Sequence, residues 1–185
     1  MNLALDAYYS PQKARVAGVF FRHWEDSTPY AIETLDFFFE NTHNPIAEYE
    51  SGAFFKRELP LLLAFVQKYL QNFEETTQKL QYQNQDLETL LIDGYVFLNQ
   101  DGKKGLGAYF YEALQARVPV IGVAKRSFLE NQQGVARVLR GKSQNPLFVS
   151  AIGLPLSQAA NHLSQMEGAY RIPTLLKRVD SESRQ

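Results

Sequence analysis

Residues 87–98 read LETLLIDGYVFL, residues 106–117 read LGAYFYEALQAR and residues 118–125 read VPVIGVAK. The first is an apolar run broken at Asp93-Gly94, the pattern of a buried strand that ends at a turn. The second has helical spacing, and the third is another short buried strand. Strand, helix and strand at this length make a βαβ unit with parallel strands. An acid in such an apolar run costs stability unless something cationic meets it. Asp93 therefore calls for a positive partner.

Upstream, LALDAYY (3–9), ARVAGVFFRHW (14–24) and YAIETLDFFF (30–39) read as strands, separated by the turn signals SPQK and EDSTP. Short turns between consecutive strands predict an antiparallel meander. Residues 40–52 form a polar connection. A helix is expected over about 54–73, with Leu59, Leu62, Leu63, Val66, Tyr69 and Leu70 as its buried stripe. Pro60 fits only near that helix's start. Glu58 then falls in the first turn, at the positive end of the helix dipole. Residues 74–86 are glutamine-rich and read as a helix tail or a loose insert.

Downstream, 99–105 is a loop, 134–142 and 145–153 look strand-like, and 156–168 is a helix closed by Gly168. The tail RVDSESRQ (178–185) reads as frayed, leaving one domain over 1–180 and a loose 181–185. No repeat or linker interrupts the chain. The order βββ-α-β-α-β, followed by β and α elements, predicts an α/β fold with a mixed sheet flanked by helices. Acids at strand ends gather at one edge of such a sheet.

The chain has 185 residues with 45% hydrophobic content, enough for one sizeable core. It has no cysteine, which excludes disulfide scaffolds, thiolate zinc sites and cysteine nucleophiles. No signal-peptide pattern and no membrane-length apolar run is seen, so no membrane partner is expected and the cytoplasm is the default. The formal net charge of −1 argues against a broad grip on nucleic acid, though not against a local basic strip. Basic residues concentrate in the second half, among them Arg117, Lys125, Arg126, Arg140 and Lys142. The three histidines stand alone and make poor metal ligands.

Five strings occur in one consistent order: RELP (57–60) before a long apolar helix, LLIDG (90–94), PVIGVAK (119–125), NPLFVS (145–150) and GAYRIP (168–173). Together with Asp6 they resemble endonuclease V over most of the chain. The resemblance implies a ribonuclease H-like fold and a magnesium- or manganese-dependent endonuclease. That family cuts a phosphodiester near a deaminated purine, mainly inosine, in nucleic-acid repair or processing. It implies metal-holding roles for Asp6 and Asp93, with Glu58 orienting water or completing a second metal position. Lys125 matches a lysine near the scissile phosphate. Tyr49 and Gly52 fall where the family has its strand-opening wedge. Gly94 and the neighbouring Tyr95 fall at the base pocket. The implied partner is DNA or RNA with exposed or unpaired bases; oligomeric state is left open.

Three departures stand out. The family's glycine-histidine-glycine after the central aspartate is Gly94-Tyr95-Val96 here, and its histidine-proline-arginine loop is Asn99–Lys104. In the family's later glycine-histidine pair and following aspartate, the histidine position becomes Gly153 or Leu154 and the acid becomes Gln158. The wedge reads Glu48-Tyr49-Glu50-Ser51-Gly52, with two added acids. An alternative expectation is therefore a catalytically degenerate relative that binds nucleic acid or a protein partner without cutting.

Overall fold

The computed structural model describes residues 1–39, 55–75, 78–128 and 134–185. The chain opens with β1 (Asn2–Tyr9), β2 (Lys13–Phe21) and β3 (Ala31–Phe38). Helix α1 (Phe55–Tyr69) and a small hairpin, β4 (Gln81–Tyr82) and β5 (Gln85–Asp86), follow. Next come β6 (Thr89–Asp93), α2 (Leu106–Ala113), β7 (Val120–Ala124), β8 (Ala136–Val138) and β9 (Leu147–Ile152). The chain closes with α3 (Leu156–Gln165) and α4 (Thr174–Ser183).

The main sheet runs β3-β2-β1-β6-β7-β9-β8. β1 to β3 form the expected antiparallel meander, and β1, β6 and β7 run parallel. β9 and β8 return antiparallel. The result is an α/β, ribonuclease H-like mixed sheet flanked by helices. Alternate residues feed two cores, as the period of a strand requires. Leu3, Leu5, Val16, Phe20, Leu90 and Ile92 pack with α1 and α2. Ala4, Ala17, Phe21, Leu91, Ile121 and Val149 pack with α3 and α4. Gly18 lets α1 approach β2, because a Cβ there would stand 2.3 Å from the Phe65 ring.

Several elements differ from expectation. The 87–98 run leaves the sheet at Asp93, because Gly94 turns the chain at φ 122°. The 14–24 strand stops at Phe21, and Trp24 folds under to stack on His162 with ring centroids 4.2 Å apart. The buried face of α1 is Glu58, Leu61, Leu62, Phe65 and Val66, so Leu59 and Leu63 are only half-buried. The rows of Leu and Phe allow either stripe, and Phe65, wholly buried against Gly18, decides it. Pro60 is the sixth residue of the described helix rather than at its start.

The 74–86 segment is neither helix tail nor loose in its described part. Leu80 and Tyr82 are buried, and Gln83 and Asn84 make the tight turn of the hairpin with positive φ. The Arg117 guanidinium donates to the carbonyls of Asn72, Phe73, Glu75 and Gln78. The 178–185 tail is not frayed either: α4 reaches Ser183, which is 1% exposed. Among the described residues no helix is long and apolar enough to cross a membrane.

The basic second half does not form one strip. Arg140 is buried and donates to the carbonyls of Met166, Gly168 and Tyr170. Arg117 and Arg140 thus serve irregular backbone, each guanidinium gathering several carbonyls. Replacing Arg117 by alanine is expected to cost about 2 kcal/mol in urea unfolding, since hydrogen bonds to charged groups contribute more than neutral ones. Hydrogen exchange should rise selectively over residues 71–75 and 78–82; an unchanged exchange pattern would refute the tethering role.

Candidate active site

β1 and β6 run side by side in parallel, with Leu5 opposite Ile92. The next residue on each strand is an aspartate, so Asp6 and Asp93 stand level with one another. Asp6 shares strand parity with Ala4, and Asp93 with Leu91, so both face the α4 side. β6 ends there, and β1 continues alone against β2. Two carboxylates thus meet where a strand terminates, the place where ligand sites in open α/β sheets form.

α4 crosses this edge and brings Asp180 and Ser183. The Ser183 hydroxyl donates to Asp6 Oδ2 at 2.5 Å. Lys125, just past the end of β7, places its ammonium 3.1 Å from Asp93 Oδ2 and 3.6 Å from Asp180 Oδ1. Arg184 holds both oxygens of Asp180 at 3.1 Å. Glu58 enters from α1 on the opposite face of the sheet and is 7% exposed.

Electrostatics records the crowding. Burial pushes Asp6 up to about 6; Asp93 and Asp180 add to the rise, and the Ser183 hydrogen bond and Lys125 oppose it. Burial, then the charges of Asp6 and Asp93, raises Glu58 well above the usual carboxylate range. The Arg184 hydrogen bonds, assisted by Lys125, hold Asp180 low. Burial pulls the Lys125 ammonium down, yet Asp93, Asp180 and Asp6 outweigh it and the group is raised. Near Glu58, the Arg57 guanidinium lies 3.7 Å from the centre of the Tyr9 ring.

The sequence-derived candidates separate cleanly. Asp6, Asp93 and Lys125 come together, and Glu58 lies within electrostatic reach of both aspartates. Gly94 occupies a turn only glycine adopts easily, with open space where a Cβ would project. The Tyr95 hydroxyl donates to the Arg126 carbonyl at 2.7 Å and accepts from the Phe128 amide, so it ties two loops together. Tyr49 and Gly52 lie outside the described residues. Asp180 and Ser183 escaped the sequence reading because their segment read as frayed. The available signal was Leu175, Val179 and Ser183 at four-residue spacing after Pro173, an amphipathic helix behind a proline.

The donor set suits a hard divalent cation, which prefers carboxylate oxygens. Raised Asp6 and Glu58 are acids short of positive charge. Among the described residues no three acids or histidines close around one point tightly enough to hold an ion. Instead the Lys125 ammonium bridges Asp93 and Asp180. The residues thus fit an ion in their chemistry, with an internal cation engaged on two of them.

The class defined is an α/β, ribonuclease H-like domain with an acid cluster at the ends of its parallel strands. No protein-family profile matches the chain, and no curated protein matches it by sequence. Solved structures do match in fold. Endonuclease V from Ciona intestinalis, in complex with a 24mer DNA containing an inosine followed by a ribo-adenosine, superposes with a TM-score of 0.74. It is 19% identical, over 99% of this chain and 84% of that one. Human endonuclease V gives 0.69 at 22% identity, over 99% and 82%. Endonuclease V from Bacillus subtilis gives 0.65 at 15%, over 99% and 78%. The chain has an endonuclease V-like fold at low sequence identity.

Asp6 binds its proton more tightly in the folded protein than its ordinary value of 3.8. Its contribution to stability therefore falls as pH rises from about 4 to about 6 and stays low above. Asp6→Asn is expected to gain about 2 kcal/mol at pH 7, and the gain should vanish below about pH 4. Thermal unfolding across that range checks the sign. Ser183→Ala should move the Asp6 titration further upward in a carboxyl carbon NMR titration; a downward move would contradict the hydrogen bond's role.

Proposed function

We propose that this chain is a divalent-metal-dependent endonuclease that hydrolyses phosphodiester bonds in nucleic acid near deaminated, inosine-type bases. The observation that supports it is the meeting of Asp6, Asp93 and Asp180, with buried Glu58 nearby, at the strand ends of an endonuclease V-like fold. The Ciona protein with this fold was crystallised on inosine-containing DNA. By that likeness the substrate is a DNA or RNA strand with an exposed or unpaired base.

Asp6 and Asp93 would hold magnesium or manganese, with Glu58 or Asp180 completing the ligand set. The ion, when bound, supplies charge to the phosphate and acidity to water. Asp6 is steadied for this by the Ser183 hydroxyl. Glu58, held above the usual carboxylate range by burial, is in its ionised form a stronger base than a free carboxylate and is suited to orient the attacking water. The half-exposed Lys125 side chain has the reach to exchange Asp93 and Asp180 for a phosphate oxygen, where it offsets developing charge. Gly94 leaves backbone open beside the site for a base.

A second reading is supported by one observation. Lys125 already neutralises Asp93 and Asp180 within the chain, which is what a relative that binds without cutting would keep.

The test uses labelled single-stranded DNA and RNA, with and without an inosine, in magnesium or manganese. Cutting is expected from the wild type, with a loss of at least about a hundredfold in Asp93→Ala and in Lys125→Ala. Cutting that persists in Asp93→Ala would sink the mechanism. Tight strand binding without any cutting would leave the binding-only reading.

A further inference from the structure

A cavity of about 820 Å³ opens beside the acid cluster, between α4 and the sheet. Asp6, Asp93 and Asp180 stand on its wall, and behind them the lining turns apolar, with Leu91, Leu147 and Leu176. Its described lining includes Ile92 and Asp93 but neither Gly94 nor Tyr95. Its size lies in the range of small-molecule sites.

Two features of the wall select the ligand. Lys142 and Lys177 line it, and neither ammonium has a hydrogen bond or ion pair among the described residues. Two cations without a partner among the described residues, beside the apolar part of the cavity, call for a ligand with an apolar body and an anionic group. Tyr170 also lines it and is 76% exposed, a large ring left in solvent. Its segment is fixed from behind: Arg140 donates to the Tyr170 carbonyl, and Arg171 donates to the carbonyls of Lys125 and Pro146. The Arg171 guanidinium is therefore spent on backbone, and the lysines carry the free charge. An exposed aromatic on a fixed backbone beside lysines is the hardware of single-strand binding, where each stacked base contributes roughly 1–3 kcal/mol.

We infer that this cavity is a nucleotide subsite. It takes one nucleotide of the strand adjoining the cleaved phosphodiester, with the base against the apolar wall and the Tyr170 ring, and the phosphate on Lys142 and Lys177. The assignment rests on the nuclease reading above, and it adds a second base-binding position on the α4 face. The subsite takes the nucleotide by stacking and charge, without base-edge readout, so it tolerates any base.

The test is fluorescence anisotropy of a fluorescein-labelled 12-nucleotide DNA strand, without metal. It compares wild type, Tyr170→Phe, Tyr170→Ala and the double variant Lys142→Ala/Lys177→Ala. Adenosine monophosphate serves as competitor and, separately, as a calorimetric ligand. The substituted side chains lie on the cavity wall, and matching thermal unfolding confirms that each variant folds. Expected are a Kd raised about tenfold in Tyr170→Ala and in the double variant, and near wild-type binding in Tyr170→Phe. Strand binding unchanged in Tyr170→Ala and the double variant overturns the subsite and leaves the nuclease reading standing. Adenosine monophosphate that binds and is lost in Tyr170→Ala, with no strand bound, keeps the cavity as a mononucleotide site and overturns the strand reading. Binding of neither overturns both.

Discussion

Asp6 and Asp93 at the ends of the central parallel strands meet Asp180 of α4, and buried Glu58 adds a fourth acid within electrostatic reach. Burial first, and then the neighbouring like charges, raise the proton affinity of Asp6 and Glu58, and that rise records the cost. The fold accepts it because the rest of the structure over-determines the positions. The parallel register of β1 and β6 sets two acids level. The turn at Gly94 ends one strand there and leaves space in front. α4 docks with Asp180 facing Lys125 and with Ser183 against Asp6. Lys125 and Arg184 supply the balancing charge.

Burial of Glu58 follows from helix packing rather than from its own chemistry. Phe65 fills the space above Gly18, and that rotation of α1 turns Glu58 inward with Leu62. A carboxylate on the core-facing stripe of an amphipathic helix is unfavourable for stability alone. Such local conflicts concentrate at functional sites. The same helix therefore serves as a structural slab along most of its length and as a chemical element at its first turn.

The arginines have a different use from the lysines. Arg117, Arg140 and Arg171 are planar forks that satisfy groups of carbonyls where the chain is irregular. They fix Asn72, Phe73, Glu75 and Gln78, and the 166–171 turn that borders the cavity. With those charges spent inside and a net charge of −1, any grip on a polyanion comes from the few basic side chains left at the surface.

What the sequence by itself determined is the local grammar. Alternation and turn residues specified the β1–β3 meander, and the LLIDG and PVIGVAK runs specified the parallel pair and its crossover helix. Acids within apolar runs marked Asp6 and Asp93, because a charge there is costly enough to need a reason. The ordered strings carried the family resemblance that the fold comparison then matched. What only the tertiary structure decided is what meets what. The second half of α4, within 178–185, read as a frayed tail, since its few apolar residues cannot stabilise an isolated helix. Packed on β1 and β2 it becomes rigid and delivers Asp180 and Ser183 to Asp6. Likewise Arg117 and Arg140 read as surface charge and proved to be backbone ligands, because hydrogen-bond partners far apart in sequence are invisible until the chain brings them together. Local propensity is written residue by residue; convergence of charge at one sheet edge depends on register and docking, which belong to the whole fold.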